Sequence, residues 1–196
     1  MINRNVIPQS RNSAILRARQ VVEKKTDLYF LDTETTGLGF TDEIVEIAIV
    51  SFDGSIAFES LVKPYIPIPK EASKLHGILD SEVQNAPRFM HVWAQVEPLL
   101  QGKTVGIYND DFDIKMIRQS LRLTNWKPKF VTIDIMKIFS EYIGEWDSRR
   151  LSYRYFKLDD ARNYFRIPIQ NSHRAGEDAL LARAVLLRIA GITDPI

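Results

Sequence analysis

Leu28-Tyr-Phe-Leu-Asp-Thr-Glu-Thr-Thr-Gly-Leu38 decides how the rest of this chain is read. Its first four residues form a short apolar run bounded by polar ones, the pattern of a buried strand. The strand delivers Asp32 and Glu34 at positions i and i+2, which project to the same side of an extended chain and can converge on one point. Converging carboxylates repel unless a proton or a cation sits between them, and hard oxygen ligands of this kind suit Mg²⁺ or Mn²⁺. A turn with polar caps carries the same residues, so Asp-x-Glu alone does not choose between a site and a surface.

Working outward, residues 43–52 are rich in Ile and Val, Asp53-Gly54 is a turn signal and residues 55–63 extend again, which predicts an antiparallel hairpin. Pro64, Pro67 and Pro69 exclude a helix or a central strand from the next segment and make it an extended connection. Helical periodicity follows over 88–100 and 113–123, with a fourth strand over 103–108 between them, and a fifth strand is expected at 130–133. Further helices are expected over 133–142, 157–165 and 173–189. Upstream, residues 1–12 lack periodicity, whereas 13–25 read as an amphipathic helix. Three strands in meander, followed by strands alternating with helices, predict an α/β fold with a mixed five-stranded sheet flanked by helices.

The composition is that of one ordinary globular domain: 196 residues, 26 Lys+Arg against 25 Asp+Glu, and 45% hydrophobic. The absence of cysteine excludes disulfides, thiolate zinc sites, iron–sulfur clusters and cysteine nucleophiles, and it fits a reducing compartment. No apolar run reaches the ~18 residues of a membrane span, and Met1-Ile-Asn-Arg-Asn lacks a signal-peptide core, so a cytoplasmic address and no membrane partner are expected. Charge is unevenly spread. Arg4, Arg11, Arg17, Arg19, Lys24 and Lys25 stand against Glu23 alone in residues 1–26. The chain therefore divides into a basic arm and helix over 1–26 and a main domain over 27–196, the arm either meeting an anionic partner or forming a solvated helix face.

Three other segments carry chemistry. In Tyr108-Asn-Asp-Asp-Phe-Asp113 a strand gives way to a helix, and Asp110, Asp111 and Asp113 suit helix capping as well as ligation. His173-Arg-Ala-Gly-Glu-Asp178 opens the last long helix. In continuous helix these two residues lie about 140° apart, so a shared site requires His173 on the loop or first turn and Asp178 pointing inward. Residues 145–174 interleave Arg149, Arg150, Arg154, Lys157, Arg162, Arg166 and Arg174 with Trp146, Tyr153, Tyr155, Phe156, Tyr164 and Phe165. That is a composition of single-strand binding surfaces, and equally of a helix with an aromatic core face and a solvated basic face.

Taken together, Asp32, Glu34, Asp113, Asp178 and His173, in this order and these local contexts, resemble the DEDDh 3′-to-5′ exonucleases, the group of polymerase proofreading exonucleases, ribonuclease T and oligoribonuclease. The resemblance runs from residue 28 to about residue 189. Asp-Thr-Glu-Thr-Thr-Gly-Leu matches the first motif, Asn109-x-x-Phe112-Asp113 the second and His173-x-x-x-x-Asp178 the third. Leu75-His-Gly-Ile78 looks like the family's short substrate-pocket element, and Leu158-Asp-Asp-Ala161 like the helix before the third motif. Tyr108 stands where a His is usual, and Asp111 adds an acid beside the site.

The resemblance implies a ribonuclease H-like fold and release of nucleoside 5′-monophosphates from a single-stranded 3′ end, with DNA ahead of short or structured RNA. It implies two divalent ions, Mg²⁺ or Mn²⁺, held by Asp32, Glu34, Asp113 and Asp178. By analogy Asp32 bridges both ions, Glu34 and Asp178 serve mainly one, and Asp113 reaches the other. His173 becomes the general base toward the attacking water, a task suited to an imidazole. The backbone at Thr35 and Thr36 receives the terminal 3′-hydroxyl, and Leu38 separates the last two bases. Asn109 and Phe112 line the pocket, Phe112 against the base, and His76 meets a phosphate or sugar. A polymerase or repair assembly is the implied partner. A non-catalytic nucleic-acid-binding module is the competing class, and the complete set of acids weighs against it.

Overall fold

The structure, a computed structural model, describes residues 7–193. Residues 1–6 of the basic arm, Arg4 among them, therefore lie outside the described residues. Helix α1 (Ile7–Val22) begins earlier than periodicity indicated and buries Ala14, Ala18, Val21 and Val22. Its cations are used for docking. Arg11 Nε donates to the Tyr142 carbonyl at 3.2 Å, Arg19 Nε to the Ala190 carbonyl at 3.0 Å, and Arg17 pairs with Glu141 at 3.2 Å. The helical part of the 1–26 segment thus belongs to the core of the domain it precedes.

The sheet is built from β1 (Leu28–Thr35), β2 (Ile44–Ser51), β3 (Ile56–Leu61), β4 (Thr104–Ile107) and β5 (Val131–Asp134) in the order β3-β2-β1-β4-β5. The first three strands run antiparallel to one another, and β1, β4 and β5 are mutually parallel. The expected mixed five-stranded sheet is thus observed. Gly54 at φ 91° and the Asp53 carboxylate, which accepts from Ser55 N at 3.0 Å, close the hairpin between β2 and β3. Parallel neighbours need crossovers, supplied by α4 (Phe89–Leu100) before β4 and α5 (Asp110–Leu121) before β5.

Alternation along the strands sorts the core into two layers. Leu28, Phe30 and Val50 pack with α1, α6 (Ile135–Ile143) and α8 (Ala175–Ala190). Leu31, Ile47 and Ile49 pack with α4 and α5 on the other face. At Gly106 on β4 a Cβ would lie 2.9 Å from the Phe30 ring, so glycine lets the neighbouring strand carry that ring. Two short helices, α2 (Lys70–His76) and α3 (Asp80–Val83), follow the proline-rich connection. A two-stranded hairpin, β6 (Trp146–Asp147) and β7 (Ser152–Tyr153), precedes α7 (Leu158–Phe165). α2, α3, β6 and β7 are too short for a period to register in the sequence, whereas α7 matches the helix expected over 157–165.

Candidate active site

β1 runs four residues further than its apolar run, to Thr35, and its carboxyl end carries the site. Asp32 and Glu34 continue the face of Leu28 and Phe30, which looks toward α8. Thr33 continues the face of Leu31, which looks toward α5. The Thr33 hydroxyl donates to Asp113 Oδ1 at 2.7 Å, orienting a carboxylate that is itself buried. Asp113 reaches this position because α5 starts at Asp110, three residues earlier than periodicity suggested. Asn109 turns the chain into the helix at φ 75°, ψ 64°, a left-handed conformation that Asn tolerates better than most residues.

The α8 side is held by a pair the sequence did not flag. Glu46, opposite Glu34 in the β1–β2 register, is buried and accepts from Arg174 Nε and Nη2 at 2.5–3.1 Å and from Ala175 N at 2.9 Å. That grip fixes Arg174 in an extended conformation, so α8 begins at Ala175 rather than at His173. His173 sits outside the helix at φ 53° and faces the cleft, while Asp178 points in from the first turns of α8. This meets the condition set by their five-residue spacing. A side chain at Gly176 would run into the Glu59 carboxylate, so glycine allows the start of α8 to lie against β3. Asn171, with its amide turned to donate, reaches both Asp178 oxygens at 2.9 and 3.1 Å. A lone acid inside Ile44-Val-Glu-Ile-Ala-Ile-Val50 was the available signal for Glu46; Thr33 and Asn171 carried none.

Electrostatics separates this site from ordinary surface acids. Burial, and then the charges of Asp113, Glu34 and Asp178, push the Asp32 carboxyl well above its usual range. Glu34 is pushed up to about 8 by burial and by Asp178, Glu46 and Asp113, against a smaller lowering from Arg174. Burial raises Asp113 to about 7 even though the Thr33 hydrogen bond opposes it, and burial raises Asp178 to about 7. Four neighbouring carboxylates short of positive charge are a donor set that fits a hard divalent cation. One donor atom each from Glu34, His173 and Asp178 lie within 4.8 Å of one another.

A second acidic group, Asp110, Asp111 and Asp134, is built differently. Lys137 Nζ lies 3.5, 3.0 and 2.9 Å from their respective oxygens. Against the lowering effect of burial, hydrogen bonds to Asp134 and Asp111 hold the Lys137 ammonium above its ordinary value. Asp111, the extra acid of the second motif, belongs to this group and not to the cleft.

The cleft encloses about 630 Å³. Asp32, Thr33, Glu34, Asp113, His173 and Asp178 form its floor, with Asn109 and Phe112 beside them. Leu38, 78% exposed, and Leu75, 56% exposed, stand on its rim. Tyr155, Phe156 and Lys157 also line it. One expected pocket residue lies elsewhere. His76 is buried, its Nδ1 accepts from Ile78 N at 3.0 Å, and burial lowers its pKa, so it is a neutral support behind the cleft, with Leu75 in its place. The Thr35 and Thr36 side chains are buried and turned into their own loop, donating to the Gly37 carbonyl and to Asp42 at 2.8 Å each. Tyr108, the departure from the usual His, donates its hydroxyl to the carbonyls of Phe156 and Lys157 at 3.0 and 3.1 Å and so anchors a cleft wall.

Sheet, helices and cleft define a class of α/β protein in which carboxylates crowd the carboxyl ends of parallel strands. The model of the RNase_T exonuclease family matches residues 29–186, and the chain belongs to this family as a 3′-to-5′ exonuclease. It is similar to the uncharacterized exonuclease CP81 of Escherichia phage 186, 34% identical over 89% of this chain and 92% of that protein. It is similar also to DNA polymerase III subunit epsilon of Treponema pallidum, 31% identical over 76% of this chain and 69% of that one. Other relatives are far longer, and the chain spans as little as 11% of their length. Among solved structures, exonuclease X in complex with 5′ overhanging duplex DNA matches with a TM-score of 0.62 and 26% identity, over 85% of this chain and 94% of that one. Among the described residues no helix is long and apolar enough to cross a membrane.

Proposed function

We propose that this exonuclease removes nucleoside 5′-monophosphates from the 3′ end of single-stranded DNA, with divalent ions, Mg²⁺ or Mn²⁺, held by Asp32, Glu34, Asp113 and Asp178. The observation that carries this reading is the crowding of four carboxylates, raised by burial and mutual repulsion, around one imidazole in one open cleft. Two ions suit the donor set better than one. Glu34 and Asp178 gather with His173, Asp113 is held on the α5 side by Thr33, and Asp32 interacts with both groups. When bound, such ions supply positive charge to the oxygens of a phosphodiester as negative charge builds on them.

The chain's own groups do the rest. His173 takes the proton from the attacking water, its backbone position set by the grip of Glu46 on Arg174 and Ala175. The main chain of Thr35 and Thr36, braced by Asp42, meets the terminal 3′-hydroxyl. Leu38 on the rim parts the last two bases, while Phe112 and Asn109 receive the terminal nucleoside. The similarity to an epsilon subunit supports a polymerase or repair assembly as the setting.

The test is a time course on 5′-labelled and 3′-labelled single-stranded DNA and RNA with Mg²⁺, with Mn²⁺ and with chelator. A metal-dependent one-nucleotide ladder descending from the 3′ end of DNA is the expected result. Preference for RNA would reassign the substrate. No cleavage of either polymer by folded protein would overturn the reading.

A further inference from the structure

The hairpin β6–β7 contributes nothing to the core, since no side chain between residues 145 and 155 is buried. Its own contacts hold its shape. Trp146 pairs with Tyr153 across the strands, their rings edge to face at 5.2 Å. Asp147 Oδ1 accepts from the backbone N–H groups of Arg149 and Arg150 at 2.9 and 3.3 Å, and Arg154 N donates to the Glu145 carbonyl at 2.8 Å. The hairpin nevertheless exposes Trp146 at 56% and Leu151 at 77%. Large apolar groups held out on a small protrusion do little for folding.

Two observations indicate what they meet. The first is charge. Arg150 and Arg154 have acidic neighbours, Asp147 at 3.7 Å and Glu145 at 3.2 Å, whereas the side-chain cations of Arg149 and Lys157 have no carboxylate within 4.0 Å among the described residues. Residues 145–157 hold four cations against two acids, a net charge of +2, with rings interleaved. The second is continuity. The chain leaves β7 at Tyr153 and enters the cleft wall at Tyr155, which is 46% exposed, and at Lys157. The Tyr108 hydroxyl pins that wall to the end of β4. The hairpin is thereby an outward extension of the cleft.

We infer that the β6–β7 hairpin is a clamp for the single-stranded DNA lying 5′ of the nucleotide being removed, with Arg149 and Arg150 on phosphates and Trp146 on a base. Cations that neutralise phosphates, set among rings on which bases stack, give affinity without sequence choice. An enzyme that removes whatever nucleotide stands at the end requires that kind of grip. The inference rests on the proposed activity for the direction of the strand.

The test separates the clamp from the active site. Binding of a 5′-fluorescein oligothymidylate, long enough to leave the cleft, is followed by anisotropy in chelator, so that nothing is cleaved, at a series of salt concentrations. Arg149→Ala/Arg150→Ala should weaken binding about tenfold at low salt and lower the slope of log affinity against log salt by about 1.4, from ~0.7 per phosphate contact on a single strand. Trp146→Ala should weaken binding about tenfold with the slope unchanged. Arg149→Lys/Arg150→Lys should keep the slope. Circular dichroism confirms that each exposed substitution leaves the fold intact. Affinity and slope unchanged in both alanine variants overturn the clamp. In parallel, hydrolysis of thymidine 5′-monophosphate p-nitrophenyl ester, too small to reach the hairpin, reports on the site alone. Loss of oligonucleotide binding in the variants without ester hydrolysis by the parent protein would sustain the clamp and sink the assigned active site.

Discussion

Two groups of carboxylates lie near the carboxyl ends of the parallel strands, and they differ in what neutralises them. Asp110, Asp111 and Asp134 surround the ammonium of Lys137. In the other group, Asp32, Glu34, Asp113 and Asp178, burial and mutual repulsion outweigh every lowering contact, and all four acids are raised. Arg174 comes nearest to relieving them, but its guanidinium is committed to Glu46. In the sequence Asp110 and Asp111 stand beside Asp113, so spacing along the chain does not separate the two groups. The difference teaches that a built-in cation marks a structural brace, whereas acids deprived of one favour a cation from solution.

The contrast can be broken by substitution. Asp32→Asn and Asp178→Asn should each lower exonuclease turnover about 10³-fold or more with the fold retained. Asp110→Asn should leave turnover within about threefold. Initial rates on a labelled oligonucleotide, beside near-ultraviolet circular dichroism, decide this, and comparable losses in the two groups would erase the distinction. With His173 as the proposed base, His173→Ala should lower the rate about 10²–10⁴-fold while the proposed ligands remain. Calorimetric titration with Mn²⁺ should show affinity largely kept; loss of metal binding would make His173 a ligand instead.

A gentler lesion is Glu46→Gln, which leaves Arg174 without its charge partner. It should lower kcat about tenfold with KM little changed, since a misplaced base costs rate more than binding. Rescue of kcat by Glu46→Asp would favour positioning, whereas a rise in KM alone would point to substrate contact.

Proton linkage sharpens the comparison without any mutation. Glu34, Asp113 and Asp178 are raised in the folded chain to about 8, 7 and 7, above the ordinary range near 4. The folded state therefore holds more protons than the unfolded one between these limits, so metal-free stability should fall as pH rises from about 4 to about 8, by on the order of a few kcal/mol. Melting in chelator at pH 5 and pH 8 measures this, and added Mg²⁺ or Mn²⁺ should recover the loss at pH 8. A melting temperature that climbs over this range would show that the acids are compensated after all. Smallest is Lys137→Ala, in which a partly exposed cation leaves three acids. About 1 kcal/mol of stability should be lost in chemical denaturation while turnover stays within a few-fold.

Much of this was legible locally. The period-two alternation of β1 placed Asp32 and Glu34 on one side, and the spacing of His173 and Asp178 required a break before the last helix, found at φ 53°. The misreading is just as local. His76 occupies a motif that suggests a pocket, yet the left-handed cap at Gly77 and the Ile78 N–H turn its ring inward. The basic arm left a partner surface and a solvated helix face both open, and in the structure Arg11 and Arg19 are taken by carbonyls near the ends of α6 and α8.

The sequence by itself determined the five strands of the sheet and the longer helices, the side of β1 that Asp32 and Glu34 share and the family to which the chain belongs, because backbone preference and side-chain direction follow from neighbours along the chain. Tertiary structure alone decided which carboxylates share a cleft and which of them meet a cation. Thr33 finds Asp113 across 80 residues and Glu46 finds Arg174 across 128, so these contacts exist only once the sheet order is set. Charge compensation acts through space, over distances that the chain's own spacing does not encode.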